Sequence, residues 1–564
     1  MMASQPAVAY FSMEIALDPL LPTYSGGLGV LAGDMLRSAA DLGVPLVGIT
    51  LVHRGGHFQQ RLDPTGQQSE SPAQWSPEGR LELMTAAACV EIEGRRVAVR
   101  AWRFVAKGIR AEVPVYMLDT ALPENSEWDR SLTDTLYGGD ERYRLAQEVV
   151  LGIGGVRMLR ALGHDTVRTF HMNEGHSALL ILALLEERRA GGPLSSSNDA
   201  DFEAVRHQCV FTTHTLVPAG HDQFPLSLVR TVLGADRSSV LGAAGCCDGG
   251  PLNMTFVGLR FSRYINGVAM HHSAVSQGMF PQYPVRAITN GVHALTWTAA
   301  PFRELYDRHI PEWRHDNLYL RYAVGIDLEE IRAAHAQAKA MLLREVRERA
   351  GVSLDEHAIT IGFARRAAAY KRADLVFSDL DRLRASARNI GPLQFLFAGK
   401  AHPRDEEGKL MIRRVFDAAA SLTGDIRVLY LEGYDMRWAQ FLTSGVDLWL
   451  NTPRRPGEAS GTSGMKAALN GVPSFSVCDG WWLEGHLEGI TGWSIGDEES
   501  GAPDSVSEAR SLYEKLETTI VPAYYGRPTS WARIMRSAIA LNGSFFNTQR
   551  MLAQYVSNAY EPRQ

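Results

Sequence analysis

Short apolar runs and longer amphipathic runs alternate regularly between residues 359 and 478. The apolar runs have the length and the β-branched and aromatic content of buried strands, whereas the runs between them have the spacing of surface helices. The expected strands are 359–363, 393–398, 426–431, 446–450 and 474–478, and the expected helices are 370–388, 406–422 and 436–443. Strands that alternate with helices pair in parallel and are covered on both faces. The pattern therefore predicts a doubly wound α/β sheet in this half of the chain.

The amino-terminal half opens with a second α/β pattern. An apolar strand at 7–15 leads to a glycine-rich turn at 26–29, then to an amphipathic helix and a strand at 44–51. The alternation lapses between 297 and 326, where proline and aromatic residues interrupt it. We therefore expect two α/β domains that face a central cleft. The expected division is an N-terminal domain at 1–296, a C-terminal domain at 297–530, and a helical segment at 531–564 that packs back on the first domain.

The composition narrows the class of protein. The 564 residues are 45% hydrophobic and 21% charged, with a net charge of −6 and no basic tract, so nucleic acid is not an expected partner. Five cysteines include the adjacent pair Cys246 and Cys247 but no Cys-x-x-Cys spacing, which argues against a disulfide framework and a thiolate metal site. Neither a leader nor an apolar run long enough to span a bilayer is recognisable, so we expect a cytoplasmic protein without a membrane anchor.

The segment 458–471 carries the most specific local pattern. Small residues lead from Ser460 into Ser463, and a helix-prone run that contains Lys466 follows. The free N–H groups at the start of a helix form a pocket for an anion such as a phosphate. A lysine beside such a pocket can form an imine with a phosphorylated aldehyde cofactor. The alternative is an ordinary turn between a strand and a helix, followed by a solvated lysine.

A cluster of cations follows the expected strand 359–363. Its members are Arg365, Arg366, Lys371 and Arg372. Like charges this close repel one another unless an anion neutralises them, so the cluster is a candidate phosphate or pyrophosphate site. A solvated basic face at the start of a helix explains it equally well.

Several polar residues lie at the expected strand ends of the first domain. Glu174 and His176 follow one strand and His214 follows another, which is where open α/β sheets place ligand groups. Asn290, before a glycine, is first of all a turn signal. His171 and His176 do not share a helical face and have no third ligand, so no metal site is expected.

Together these segments resemble the α-glucan phosphorylases (the glycogen, starch and maltodextrin phosphorylases), specifically their short prokaryotic-type branch. The similarity runs nearly from end to end, and its motifs occur in the order of that family. They are 10–14, 24–29, 173–176, 213–215, 289–291, 365–372, 433–434 and 458–466. The resemblance implies a GT-B type fold, in which two Rossmann-like α/β domains face a central cleft and the second domain binds pyridoxal 5′-phosphate.

The resemblance also implies roles for individual residues. Lys466 would form the Schiff base with the cofactor, and Arg366, Lys371 and His214 would take part in catalysis. The other residues assigned to the cofactor are Thr462, Ser463, Arg365, Tyr434 and Trp297. Those assigned to inorganic phosphate are Arg366, Lys371 and the amides of Gly27 and Leu28. Those assigned to the glucosyl unit are His214, Asn290, Glu458, Ser460 and Gly461, with Glu174 and His176 on the sugar side.

The activity implied is phosphorolysis of terminal α-1,4-linked glucose from a glucan or maltodextrin. The cofactor's 5′-phosphate would exchange a proton with inorganic phosphate, and the product would be α-glucose 1-phosphate with retained configuration. Two alternatives remain: a nucleotide-sugar-dependent α-glucan synthase of the same fold, and a non-catalytic glucan-binding protein. The short start before the first strand predicts that phosphorylation-linked allosteric control is absent, and a homo-oligomer is possible. Asp435 and Ala16 depart from the pattern of the long-type enzymes.

Overall fold

The computed structural model describes residues 6–216, 221–247, 250–496 and 504–561. The chain divides into two compact units. The first unit is Met1–Phe58, Pro72–Ile288 and Leu552–Gln564, and the second is Gln59–Ser71 and Thr289–Met551. This division falls near the expected boundary at 296/297, but it also groups the short segment Gln59–Ser71 with the second unit. The functional domains at 1–296, 297–530 and 531–564 stay a prediction.

The described strands are numbered in chain order. They are β1 (Val8–Ser12), β2 (Leu46–Leu51), β3 (Gln59–Leu62), β4 (Gln68–Ser71), β5 (Glu82–Ile92), β6 (Arg95–Lys107), β7 (Glu112–Asp119), β8 (Thr169–Asn173), β9 (Cys209–Thr212), β10 (Gln223–Phe224), β11 (Leu252–Asn253), β12 (Tyr264–Gly267), β13 (Val285–Ala287), β14 (Ile359–Ala364), β15 (Leu393–Ala398), β16 (Arg427–Leu431), β17 (Leu448–Asn451), β18 (Ser474–Val477) and β19 (Gly492–Ile495).

The described α-helices of the first unit are Gly27–Leu42, Glu127–Ser131, Glu141–Val149, Gly155–Ala161, Leu180–Arg189, Asp199–Arg206, Leu226–Leu233, Ala235–Ala243, Met254–Arg260 and Met270–Met279. Those of the second unit are Ala294–Trp297, Ala300–His309, Leu328–Ala350, Leu380–Asn389, Glu406–Ser421, Met436–Gly445, Ser463–Ala468, Trp482–Gly485, Ser505–Lys515, Val521–Gly526 and Pro528–Ser537. The last described helix, Thr548–Tyr555, contains the residue at which the chain returns to the first unit.

Nine of the described strands of the first unit form a sheet in the order β13-β12-β9-β8-β1-β2-β7-β6-β5, and β10 and β11 form a separate two-stranded sheet. In the nine-stranded sheet, β1 is parallel to both β2 and β8, and the antiparallel pairs involve only β5, β6 and β7. From β1 the chain proceeds to one side, and from β8 it proceeds to the other. The strand order therefore reverses between β1 and β8, and the loops that follow these two strands flank the usual ligand position of such a sheet.

Six of the described strands of the second unit form a parallel sheet in the order β16-β15-β14-β17-β18-β19, and β3 and β4 form a separate antiparallel pair. The mixed α/β class with parallel sheets, predicted from the alternation, is confirmed. In this sheet the order reverses between β14 and β17. The cation cluster follows β14 and the segment with Lys466 follows β17, so the two most specific sequence motifs start at the same topological switch point.

The predicted helix at 370–388 is wrong in its first half. Two short 3₁₀ turns, Ala369–Lys371 and Leu375–Phe377, occupy this part, and the helix begins only at Leu380. Arg372 has a left-handed backbone with φ of 48°, which ends the first turn, and the Asp379 side chain accepts the N–H of Arg382 as a helix cap. The cations therefore lie in irregular backbone rather than on a helix face.

The core of each unit is continuous with its sheet. Strands β1, β2, β8 and β9 are buried along their whole length, as are β14, β15, β17 and β18. This burial on both faces is typical of parallel strands between two helical layers. Among the described residues, no helix has the length and apolar character that crossing a membrane requires.

Candidate functional site

Glu458 is the acidic centre of the switch point in the second unit. One carboxylate oxygen, Oε2, lies 2.6 Å from the guanidinium of Arg365 and 2.6 Å from the ammonium of Lys371. Burial alone would raise the pKa of Glu458, but the two cations outweigh it and lower the pKa to about 2. Glu458 is therefore ionised at neutral pH and links the loop after β17 to the loop after β14.

The charge balance of the cation cluster is largely internal. Arg365 and Lys371 share Glu458, and Arg365 also donates to the side chain of Asn451 at the end of β17. Arg372 forms an ion pair with Glu508 and donates to the carbonyl oxygens of Thr452 and Pro453. Buried carboxylates therefore supply part of the negative charge that neutralises the cluster, and a phosphate site at this cluster stays a prediction. Arg366 differs from the others in being exposed.

Asp479, after β18, fixes the backbone of this loop. Its carboxylate accepts the N–H of Glu458 at 2.9 Å and the N–H of Gly480 at 2.9 Å. Burial raises the pKa of Asp479 to about 6, and the charge of Glu458 acts in the same direction. Sequence reasoning missed this residue. Its position directly after a buried strand was the available signal.

The backbone around Ser460 is tightly enclosed. Its carbonyl oxygen accepts the N–H of Trp481 at 2.8 Å, and a Cβ on Gly480, where φ is 57°, would lie 2.4 Å from the same oxygen. Gly461 also has a left-handed backbone, with φ of 74°. The hydroxyl of Ser460 is buried and makes no hydrogen bond within the described residues. Such a buried, unsatisfied group indicates a position for a ligand or water.

Lys466 lies on the helix Ser463–Ala468 and is buried. Its ammonium is 3.7 Å from the ring centroid of Trp297, within the range of a cation–π interaction. Asn470 donates to the backbone carbonyl oxygens of both Lys466 and Trp297, at 3.0 and 2.8 Å, and accepts the N–H of Ala299 at 2.7 Å. A buried amine therefore lies against an aromatic ring. Asn470, which sequence reasoning missed, connects the backbones of the two residues.

The remaining residues assigned to the cofactor surround this helix start. Thr462 is the N-cap residue, but its side chain makes no capping bond, and the Ser463 hydroxyl accepts from the indole of Trp449 at 3.1 Å. Tyr434 packs against the core, and burial raises the pKa of its phenol. Asp435, the departure noted in the sequence, caps the helix Met436–Gly445 by accepting the N–H of Trp438 at 2.8 Å. Its local role is therefore structural.

Asn290 is buried in the second unit, and its side-chain oxygen has no hydrogen-bond partner among the described residues. Arg550 holds the backbone around it by donating to the carbonyl oxygens of Thr289 at 2.7 Å and Asn290 at 2.9 Å. A Cβ on Gly291 would lie 2.3 Å from the backbone of Asn547. The Asn-Gly pair predicted a turn. In the structure this segment packs tightly against the backbone of Asn547, and the side-chain oxygen of Asn290 stays unsatisfied among the described residues.

In the first unit, Glu174 joins the ends of β8 and β9. It has a left-handed φ of 72°, an uncommon conformation that is frequent at functional sites. Its carboxylate accepts the N–H of His214 at 2.8 Å and the hydroxyl of Thr215 at 3.0 Å, while burial raises its pKa. The His214 ring lies 2.6 Å from the Asn173 side-chain oxygen, and burial lowers its pKa to about 3, so the ring is neutral at pH 7.

His176 lies in a buried polar cluster behind this position. Its Nε2 is 3.4 Å from the carboxylate of Asp222, which also receives a hydrogen bond from Arg144 at 2.9 Å. Burial lowers the pKa of His176 to about 4, and the charge of Arg144 acts in the same direction. His176 is therefore a neutral ring whose Nδ1 has no partner among the described residues.

The glycine loop, residues 24–29, follows β1 on the other side of the same switch point. Gly27 opens the helix Gly27–Leu42, and a Cβ at Gly26 or Gly27 would meet nothing within 4 Å. The N–H groups of Gly27 and Leu28 form no hydrogen bond within the described residues, as expected for the first turn of a helix. Ala16 packs against this helix, because its carbonyl oxygen lies where a Cβ on Gly33 would be.

The residues present in the second unit suit a phosphorylated aldehyde cofactor. They provide a buried amine, an aromatic ring against it, a guanidinium, and the hydroxyl residues Thr462 and Ser463 at a helix start. A phosphate and an aldehyde require this combination of donors and nucleophile. Among the described residues, no group of three or more histidine, cysteine or acidic side chains is arranged to bind a metal.

Comparison with known proteins finds similarity to one family, the phosphorylases. The family model described as carbohydrate phosphorylase matches residues 247–487. The maltodextrin phosphorylase of Thermococcus litoralis is 40% identical over 98% of this chain and 70% of its own length. The glycogen phosphorylase of Mycobacterium tuberculosis is 37% identical over 98% of this chain and 71% of its own. That of Aquifex aeolicus is 34% identical over 98% of this chain and 86% of its own.

Proposed function

This chain belongs to the carbohydrate phosphorylase family, and on that premise we propose that it releases terminal α-1,4-linked glucose from glucans or maltodextrins as α-glucose 1-phosphate. The observation that supports this proposal best is the buried amine of Lys466 against Trp297, next to a loop anchored by Glu458. We also propose that the two compact units are the two Rossmann-like domains of a GT-B type fold. The described strand order reverses in the centre of each sheet, as that fold requires.

The cofactor of the proposal is pyridoxal 5′-phosphate, which supplies a phosphate group that donates and accepts a proton when it is bound. Lys466 would hold its aldehyde carbon, and Trp297 and Tyr434 would enclose its ring. Hydroxyl and guanidinium donors would hold its phosphate, and they are Thr462, Ser463 and Arg365. These groups require no metal ion, because the cations and the backbone amides can neutralise the negative charge of the phosphate.

Inorganic phosphate is assigned to four groups on this chain. Arg366 and Lys371 provide positive charge after β14, and the amides of Gly27 and Leu28 provide donors at a helix start. The ion pair with Glu458 fixes the Lys371 ammonium, so that little reorganisation is needed when the anion binds. The exposed Arg366 can move toward the anion. The positive groups lower the repulsion between two neighbouring phosphates and stabilise the charge that develops as the glycosidic bond breaks.

The glucosyl unit is assigned to the residues that the family resemblance implies. They are His214, Asn290, Glu458, Ser460 and Gly461, with Glu174 and His176 on the sugar side. The amide oxygen of Asn290 and the hydroxyl of Ser460 are buried and unsatisfied among the described residues, so a sugar hydroxyl would pair them. His214 is neutral, and because its Nε2 donates to the Asn173 side-chain oxygen, its Nδ1 can accept a hydrogen bond from a sugar hydroxyl.

One experiment tests the proposed function. Purified protein is expected to be yellow from its cofactor and to release α-glucose 1-phosphate from maltoheptaose only when inorganic phosphate is present. The alternative of a nucleotide-sugar-dependent synthase predicts transfer from UDP- or ADP-glucose without a phosphate requirement and without cofactor absorbance. A non-catalytic glucan-binding protein would bind maltoheptaose and turn nothing over. Either of these outcomes would refute phosphorolysis.

A further inference from the structure

We propose that Glu14 is the positioning residue of the glycine loop, and that it holds this loop in the conformation in which the amides of Gly27 and Leu28 can receive a phosphate. The inference rests on the proposed function for the identity of the anion. Glu14 is a buried carboxylate in the segment 10–14, and it is not among the residues assigned to the cofactor, the phosphate or the sugar. The evidence for its role lies entirely within the first unit.

The carboxylate of Glu14 accepts three hydrogen bonds from the protein. One oxygen, Oε2, accepts the N–H of Ser25 at 2.5 Å and the N–H of Gly26 at 3.0 Å. The other, Oε1, accepts the hydroxyl of Tyr137 at 2.9 Å. Glu14 is 3% exposed, so these bonds are shielded from water and are stronger than equivalent bonds at the surface.

Glu14 forms hydrogen bonds with the part of the glycine loop that lies between two main-chain hydrogen bonds. Pairs of main-chain groups fix the two ends, because the N–H of Ile15 donates to Thr23 at 3.0 Å and the N–H of Ala16 donates to Gly29 at 2.9 Å. Between these ends, Glu14 supplies acceptors for two consecutive N–H groups. Glu14 therefore accepts the N–H groups that precede the helix. The N–H groups of Gly27 and Leu28, the first helical residues, stay available to solvent or a ligand.

Steric contact restricts the loop at the same point. A Cβ on Gly29 would lie 2.7 Å from Oε2 of Glu14 and 2.7 Å from the Cβ of Tyr24. The glycine thus allows the carboxylate to approach the helix start closely. The helix Gly27–Leu42 has neither a side-chain cap nor an acidic residue in its first turn, so its N-terminus keeps its capacity for an anion.

Tyr137 connects Glu14 to the polar cluster around His176. The guanidinium of Arg144 lies 4.5 Å from the centroid of the Tyr137 ring, and the His176 ring lies 5.6 Å from it. Arg144 is in turn fixed by Asp222. The loop after β1 and the loop after β8 are therefore supported by one continuous set of contacts.

The test uses hydrogen exchange and steady-state kinetics on the cofactor-loaded full chain. In Glu14→Ala, exchange at the amides of Ser25 and Gly26 is expected to rise by about tenfold or more, because two charge-assisted hydrogen bonds are lost. The KM for inorganic phosphate is expected to rise by about tenfold while the KM for maltoheptaose and the cofactor content change by less than about twofold. Glu14→Gln keeps one acceptor oxygen and is expected to fall between the wild type and Glu14→Ala in both measurements.

Asp236, which is exposed, offers a control for the loss of a carboxylate that bridges backbone amides. Its carboxylate also accepts two consecutive backbone N–H groups, those of Leu194 and Ser195, each at 2.8 Å. Asp236→Ala is expected to raise exchange at these two amides and to leave the KM for phosphate unchanged. An equal rise in phosphate KM in both variants would show a general loss of rigidity and would overturn the proposal.

The remaining outcomes separate this proposal from the proposed function. Unchanged exchange at Ser25 and Gly26 in Glu14→Ala would overturn the positioning role, whether or not the wild-type protein is active. Increased exchange with an unchanged phosphate KM would refute the connection between the loop and phosphate. If the wild-type protein released no glucose 1-phosphate, the proposed function would fail, and direct titration of the wild type and Glu14→Ala with inorganic phosphate would decide the inference: equal affinities would overturn it.

Discussion

The carboxylate of Glu458 lies 2.6 Å from the ammonium of Lys371, and each of the two side chains is 7% exposed. The pair connects the loops that follow β14 and β17, two adjacent strands that the chain visits far apart in sequence. Arg365 shares the same carboxylate oxygen, so that one negative charge balances two cations. With Arg366 there are three cations and, because Asp479 is largely ionised at pH 7, two carboxylates, so a net positive charge remains at this switch point and favours an anion there.

Glu458→Gln is expected to destabilise the protein, because it leaves two buried cations without their counter-ion. Breaking a buried ion pair by removing one partner costs about 3 kcal/mol. The midpoint of urea unfolding measures the loss. Glu82→Gln is the matched control, since Glu82 pairs with Arg103 at the surface and is 57% exposed, and its loss is expected to cost less than about 1 kcal/mol. Equal losses of stability in the two variants would contradict the prediction that the ion pairs of Glu458 stabilise the fold.

The stability that Glu458 contributes is expected to depend on acid pH. Its pKa of about 2 in the folded protein lies below the ordinary value of 4.5. A depressed carboxyl pKa stabilises the fold fully above the ordinary value, and this contribution is lost as the pH falls toward 2. The difference in free energy of unfolding between wild type and Glu458→Gln should therefore narrow between pH 6 and pH 3. A difference that stays constant over this range would contradict the assignment.

Asp479 is expected to show the opposite dependence. Its pKa of about 6 in the folded protein exceeds the ordinary value of 3.8, so the folded state keeps a proton that the unfolded chain has already lost. As the pH rises from 4 to 7, the wild type should lose about 2–3 kcal/mol of stability relative to Asp479→Asn. Unfolding curves of both proteins across this range measure the change. A wild type that gains stability relative to the variant would contradict the prediction.

Lys466→Ala is expected to abolish the absorbance of the bound cofactor and to reduce phosphate-dependent glucose 1-phosphate release by about a thousandfold or more. The physical reason is the loss of the only buried amine that lies against Trp297 among the described residues. A visible absorbance spectrum and a coupled assay measure both effects. Lys107→Ala, which removes an exposed lysine of the first unit, should change neither. A variant at residue 466 that retained the spectrum would exclude this lysine as the attachment point.

Gly480→Ala is expected to disturb the loop around Ser460 beyond the ordinary cost of a left-handed alanine. The added Cβ would lie 2.4 Å from the Ser460 carbonyl oxygen, which belongs to the backbone and cannot rotate away. Gly424→Ala is the control, because Gly424 has a φ of 95° but nothing within 4 Å of the point that a Cβ would occupy, so it should cost only about 1 kcal/mol. We expect a larger stability loss and a raised maltoheptaose KM at position 480. Equal stability and KM in the two variants would be inconsistent with a sugar-binding role of this loop.

The alternation of apolar and amphipathic runs predicted five of the six strands in the described parallel sheet of the second unit and missed β19. Strands 359–363, 393–398, 426–431, 446–450 and 474–478 all correspond to described strands. The prediction was possible because a strand that is buried on both faces must be apolar along its whole length. It failed at 370–380, where the left-handed backbone of Arg372 and the cap at Asp379 override local helix propensity. The GT-B type arrangement and the roles of the site residues remain proposals.

The sequence by itself determined which residues carry charge and amine chemistry, where glycine permits a close approach, and the order of motifs that identifies the family. These properties are local, because each depends on a few neighbouring residues. Only the tertiary structure decided that Glu458 neutralises Arg365 and Lys371, that Asp479 holds the backbone of Glu458, and that Glu14 supports the glycine loop. The partners of Glu458 follow strands that are distant in sequence, and the order of strands in the sheet, which brings their ends together, is a property of the whole fold. Glu14 is closer in sequence to the glycine loop, but its contact depends on how the segment after β1 folds back.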